Sequence, residues 1–187
     1  MTLITRIGTL LGRLLEATVI FLMVALTTVV VVAVVYRKLG ASLTWYDEVA
    51  SIMLAWLTYY GAALAALRRS HIGFDGLVLA LPMRLRMGFV VLSEVVVIAF
   101  FATLAWTGWQ VLIVLEGMSL VSLTDVSVQF TQSVIPIGGA LFILCELLSL
   151  PAYWQRMRAG VSHDEAEIAQ ALEAEGVPGT ETEGQRP

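Results

Sequence analysis

Residues 17–36 read ATVIFLMVALTTVVVVAVVY, twenty consecutive positions without a charge. A helix rises about 1.5 Å per residue, so such a run covers the ~30 Å hydrocarbon core of a bilayer. A solvent without hydrogen-bonding capacity forces the backbone to satisfy itself, which predicts a helix despite the many valines. The run is too long for the apolar core of a cleaved signal peptide. Tyr36-Arg37-Lys38 follows it in place of a small-residue cleavage site, so it reads as a permanent span.

Three further apolar runs follow. One is Val49 to Leu67. One runs from about Met87 to Leu115, interrupted by Glu94, and one from about Val126 to Tyr153, interrupted by Glu146. The expected fold is an all-α membrane protein with four transmembrane helices, at about 14–36, 45–67, 87–112 and 126–153. These form a membrane domain of residues 1–160, followed by an acidic cytoplasmic tail, 161–187, partly disordered.

Composition agrees. Of 187 residues, 58% are hydrophobic and 14% charged, with mean hydropathy +0.84. Soluble domains run at roughly 45–50% apolar and about 25% charged, so an ordinary soluble enzyme and a disordered chain are both excluded. The single cysteine, Cys145, excludes an internal disulfide and any multi-cysteine metal site. The tail holds seven acids against Arg186, which leaves a mildly basic membrane body. That distribution does not suit a nucleic-acid binder.

Lysine and arginine in short loops set orientation. Arg6, Arg13, Arg68, Arg69, Arg84, Arg86, Arg156 and Arg158 fall on one side, and only Arg37 and Lys38 on the other. Both termini are expected in the cytoplasm. Tyr36, Trp45, Tyr46, Trp106 and Trp109 would mark the outer boundary, Tyr153 and Trp154 the inner one.

The loops carry local signals. Thr44-Trp45-Tyr46-Asp47 reads as a capping box with Thr44 as N-cap. Asp47 and Glu48 suit the positive end of the helix dipole. The inner loop between spans two and three holds Ile72, Phe74, Leu77, Val78, Leu79 and Leu81 between arginine pairs, which predicts a short interfacial helix ending near Pro82. His71 and Asp75, four apart, would share a face of it. Ser162-x-x-Glu165 is a second capping box, opening a short acidic helix to about Glu175.

Acids inside spans are expensive and invite a functional reading. Glu16, Glu94 and Glu146 all fall in the inner half. One reading has them reach the interface or pair with Arg13, Arg84, Arg86 or Arg156. The other gives them a proton- or ion-coupling role, with Glu94 the best candidate. His71 with Asp75 reads as a local contact rather than half of a metal site. No span holds a histidine to ligate haem. There is no P-loop, GxSxG or catalytic triad, so no catalytic residue, metal site or cofactor is expected.

Span two has a stripe of small and polar residues at spacings of three or four: Asp47, Ser51, Ala55, Thr58, Ala62 and Ala65, flanked by Gly61 and Ala66. Small residues let helices approach closely, either within the chain's own bundle or against another membrane protein. Ser133, Gly138, Gly139 and Ala140 offer a smaller version on span four, with Gln129 and Gln132 near its outer end.

From Arg37 to Asp75 the features come in a telling order. Arg37 follows span one, and Trp45 precedes the acids Asp47-Glu48. Trp56, Gly61-Ala62-Ala63, Arg68-Arg69 and His71-x-x-x-Asp75 come next. This order resembles the small membrane subunit of tripartite ATP-independent periplasmic (TRAP) transporters, the dicarboxylate-uptake Q-type family. The resemblance covers about 40 residues; the other spans match in general character, and Lys38-Leu39-Gly40 and Asp47 depart from the usual pattern.

The resemblance implies a bacterial inner-membrane scaffold with two protein partners besides the lipid bilayer. One is a large multi-span transporter subunit that moves by an elevator motion, coupled to sodium. The other is a periplasmic substrate-binding protein that docks transiently and delivers an organic acid. Span two, with Trp45, Asp47, Glu48 and Trp56 beside the small-residue stripe, would face the large subunit. Two rival readings remain at this level: an independent four-helix proton-coupled transporter using Glu16 or Glu94, and a membrane-anchor subunit of another complex.

Overall fold

The computed structural model of the chain describes residues 3–69 and 82–159. It is all-helical, with four stretches long and apolar enough to cross a membrane. Helix α1 is Leu3–Lys38, α2 Tyr46–Arg68 and α3 Met83–Val114. A short α4, Val128–Gln132, leads into α5, Val134–Ala159, and the two share the fourth span. The expected interfacial helix, with His71 and Asp75, and the tail helix lie outside the described residues.

One local expectation needs correction. The capping box does not form. Trp45 is the N-cap of α2, in a helical conformation with no side-chain cap bond. The carbonyl of Thr44 instead accepts from the Ser122 hydroxyl at 3.4 Å. The helix therefore starts one residue later than a Thr44 cap requires. The third helix begins at Met83, ahead of the apolar run. A window that counts apolar residues stops at Arg84 and Arg86, yet arginine is a good helix former whose stem lies along apolar surface.

The fourth span is broken at Ser133. Pro136 has no N–H to donate, which costs nothing in the first turn of a helix. Val134-Ile135-Pro136 accordingly opens a new helix, α5. Ser127 caps α4, its hydroxyl accepting from the backbone N–H of Gln129 at 3.2 Å.

The described residues form two compact units, one of residues 3–69 and 94–150, the other of residues 82–93 and 151–159. In the first, Leu15 of α1, Ala63 and Ala66 of α2, and Phe142 and Cys145 of α5 form a buried cluster. Phe101 of α3 stacks on Phe142, ring centroids 3.5 Å apart. Cys145 is thus a small buried core residue.

Lipid gives little hydrophobic drive for helices to associate, so close packing carries the contact. A Cβ at Gly138 would sit 2.7 Å from that of Tyr59, so α5 lies tight on α2. A Cβ at Gly139 would come within 3.2 Å of the Phe101 carbonyl oxygen on α3. Gly138 and Gly139 therefore serve the chain's own bundle, while Ala140 is exposed.

In the second unit, the Arg86 guanidinium donates to the Met157 carbonyl at 3.3 Å, and Met157 is buried. Arg158 stands 5.4 Å over the Trp154 ring, a cation–π contact.

Candidate functional site

Helix α2 carries most of the residues singled out, and its two ends are built differently. At the C-terminal end Arg69 caps the helix in the left-handed conformation, φ 52° and ψ 31°, its N–H directed to the carbonyls of Ala65 and Ala66. That conformation costs a non-glycine residue roughly 1–2 kcal/mol, so something has to hold it. The side chain supplies the hold. Its Nε donates to the Ser149 hydroxyl at 2.8 Å, and Nη2 to the Glu146 carbonyl at 3.3 Å. Nη1 pairs with Glu94 and, at 2.8 Å, with Glu146. Ser149 in turn donates toward the carbonyls of Ala66 and Glu146, 3.2 and 3.0 Å away.

One arginine from α2 thus gathers an acid from α3 and an acid and a serine from α5. The side chains of Arg69, Glu94 and Glu146 are only 11%, 11% and 6% exposed. The intramembrane acids are paired, but not with the arginines expected. Glu94 and Glu146 take Arg69, and Glu16 takes Arg68 at 2.8 Å in an exposed pair. Helix α2 ends beside these acids, and its left-handed cap directs Arg69 inward among them. Ser149 was missed, although it follows Glu146 by three residues and so shares its helix face.

At the N-terminal end the contacts are solvent-exposed. The Arg37 guanidinium donates to the Tyr46 hydroxyl and lies 5.6 Å over its ring, tying α1 to α2. Glu48 accepts the backbone N–H groups of Val121 and Ser122, at 3.1 and 2.8 Å. Those residues belong to the loop between α3 and α4. The loop turns at Gly117, φ +81°, and closes with an isolated bridge between Ser119 and Ser127. Trp45 and Asp47 are exposed. Among the described residues, Lys38 and Asp47 enter no ion pair.

Between the ends, Trp56 donates its indole N–H to the Thr131 carbonyl at 2.9 Å and packs on Tyr60 and Phe130. A five-residue helix such as α4 leaves its last carbonyls without internal donors, and Trp56 satisfies one of them. Along the small-residue stripe, Ser51 and Thr58 are exposed, while Ala55, Gly61, Ala62 and Ala65 are half-buried. Ser51 and Thr58 return their hydroxyls to the carbonyls of Asp47 and Leu54, each at 2.8 Å. A Cβ at Gly61 would meet nothing. The core face of α2 is instead the adjoining one, with Tyr59, Ala63 and Ala66.

Fold and site together define a four-span helical membrane protein whose buried polar groups bind its own helices to one another. The chain belongs to the DctQ component family of the tripartite ATP-independent periplasmic transporters, whose family model matches residues 26–156. It is similar to the C4-dicarboxylate TRAP transporter small permease protein DctQ of Vibrio cholerae serotype O1, with 29% identity over 110 residues. That match covers 57% of this chain and 47% of the relative, so the chain spans about half the length of that protein. It is a multi-pass inner-membrane protein from a family of transporter components.

Proposed function

We propose that this chain is the small membrane subunit of a TRAP-type secondary transporter. It scaffolds a large elevator subunit for sodium-coupled uptake of an organic acid that a periplasmic binding protein delivers. The observation that carries this reading is the family match across residues 26–156. The site geometry supports it. The two most buried acids are held by Arg69, which suits a rigid frame better than a proton carrier that must load and unload. The family relative's name supplies the C4-dicarboxylate class as the first substrate to try.

In this reading both termini are cytoplasmic, as the eight inner-side basic residues favour. The large subunit packs on the open face of α2, with Ser51, Ala55, Thr58, Gly61 and Ala65, while Ala62 packs against the chain's own core and Trp56 and Glu48 tie the helix to Thr131 and to the loop at Val121 and Ser122. Lys38 and Asp47 are the outer charges left over to meet the binding protein.

Reconstitution tests the proposal. Proteoliposomes with this chain, the large subunit and the binding protein take up a C4-dicarboxylate when an inward sodium gradient is imposed. Those lacking this chain do not. Uptake or proton-coupled export by this chain alone would sink the proposal in favour of an independent transporter.

A further inference from the structure

The cluster at Arg69 has more negative charge than its one cation balances. With both acids ionised, Glu94, Glu146 and Arg69 sum to a net charge of minus one. Little water reaches them, and an uncompensated charge is strongly disfavoured in such surroundings. Among the described residues, Arg69 is the cation that pairs with these two acids. From α1, Leu11 and Leu15 pack nearby, and Glu16 faces Arg68 instead. From α3 come Val97 and Phe101, and from α5 Cys145 and Ser149.

A second observation points the same way. Glu94 Oε2 and Glu146 Oε2 are both buried, and neither has a hydrogen-bond partner. The residues themselves are 9% and 4% exposed. Both acids lean on the same Nη1 nitrogen, which sets the two carboxyls side by side. Two ionised carboxylates offer acceptors only and cannot bond to each other. A single proton turns one of those oxygens into a donor.

We propose that Glu94 and Glu146 together bind one proton at neutral pH, carried on Glu146, the more buried of the two. The cluster is then neutral: one guanidinium, one carboxylate and one carboxylic acid. A proton fits better than a metal cation. Hard cations surround themselves with about six oxygens, whereas the pair leaves two, and the Ser149 hydroxyl is already committed to Arg69 and to backbone carbonyls. The inference concerns this chain's interior and holds whichever proteins it assembles with.

Infrared spectroscopy of the full chain in lipid nanodiscs at neutral pH tests it. The wild type shows the C=O stretch of one protonated carboxyl, shifted in heavy water. Glu94→Gln and Glu146→Gln each lose that band and keep the wild-type melting temperature, because each leaves one carboxylate for one guanidinium. The double variant melts lower, with Arg69 buried and unbalanced. A wild-type spectrum without the band overturns the proposal. So does a band that survives both single substitutions, or a melting temperature that rises with sodium at constant ionic strength. If a single variant fails to fold, the wild-type band and its isotope shift still decide.

Discussion

The two ends of α2 use the same chemistry in different solvents. At the C-terminal end, Arg69 gathers two acids and a serine from α3 and α5, away from water. At the N-terminal end, Glu48 holds two backbone amides of a loop in the open, and Arg37 holds Tyr46. The step from one regime to the other can be as short as one residue. Arg68 makes a half-exposed pair with Glu16, while its neighbour Arg69 makes a buried one. Charge pairs are screened and nearly neutral in energy at a surface, whereas breaking a buried one leaves a charge stranded. The C-terminal end should therefore set the stability of the bundle, and the N-terminal end the shape of the surface it presents.

Arg69→Ala breaks the comparison most severely. It strands two buried acids and should cost about 3–5 kcal/mol, read as the loss of unfolding free energy in a denaturant titration in mixed micelles. Arg69→Gly separates backbone from side chain. It relieves the left-handed strain, so an equal loss shows that the guanidinium is what matters. Midway along the helix, Gly138→Ala drives a methyl against the root of Tyr59. The expected loss is about 1–3 kcal/mol from overpacking, rescued in part by Tyr59→Ala.

At the N-terminal end, Glu48→Ala should leave the melting temperature unchanged. Hydrogen exchange should instead accelerate at the amides of Val121 and Ser122, while membrane insertion stays intact. The smallest effect is expected for Glu16→Gln. The loss of the Arg68 pair is worth below about 1 kcal/mol and should vanish at high salt. A Glu16 variant as damaging as Arg69→Ala would refute the distinction between the two pairs.

The four spans were legible because a bilayer demands long uncharged runs, and ATVIFLMVALTTVVVVAVVY admits no other reading. The N-terminal boundary of α3 was less so, since Arg84 and Arg86 extend a helix that hydropathy alone cuts short. Glu94 and Glu146 stood out as acids in apolar runs. Their partner did not, because pairing across helices depends on how deep α2 ends and which way its cap turns. The Thr44 signature was local, and the contact from Ser122, on a distant loop, prevailed over it. Gly138 and Gly139 were visible as small residues, but only Tyr59 and Phe101 beside them show which helices they admit.

The open face of α2 bears most directly on the account as a whole, because a scaffold must hold a partner there. The decisive measurement is purification of the full chain, tagged and expressed with its neighbouring genes, in a mild detergent. The account predicts a stable complex with a multi-span membrane protein. Replacing Ala55 and Gly61 with leucine should dissociate it while the chain still inserts and folds. A chain that purifies without any multi-span partner, or a complex indifferent to both leucines, would contradict it.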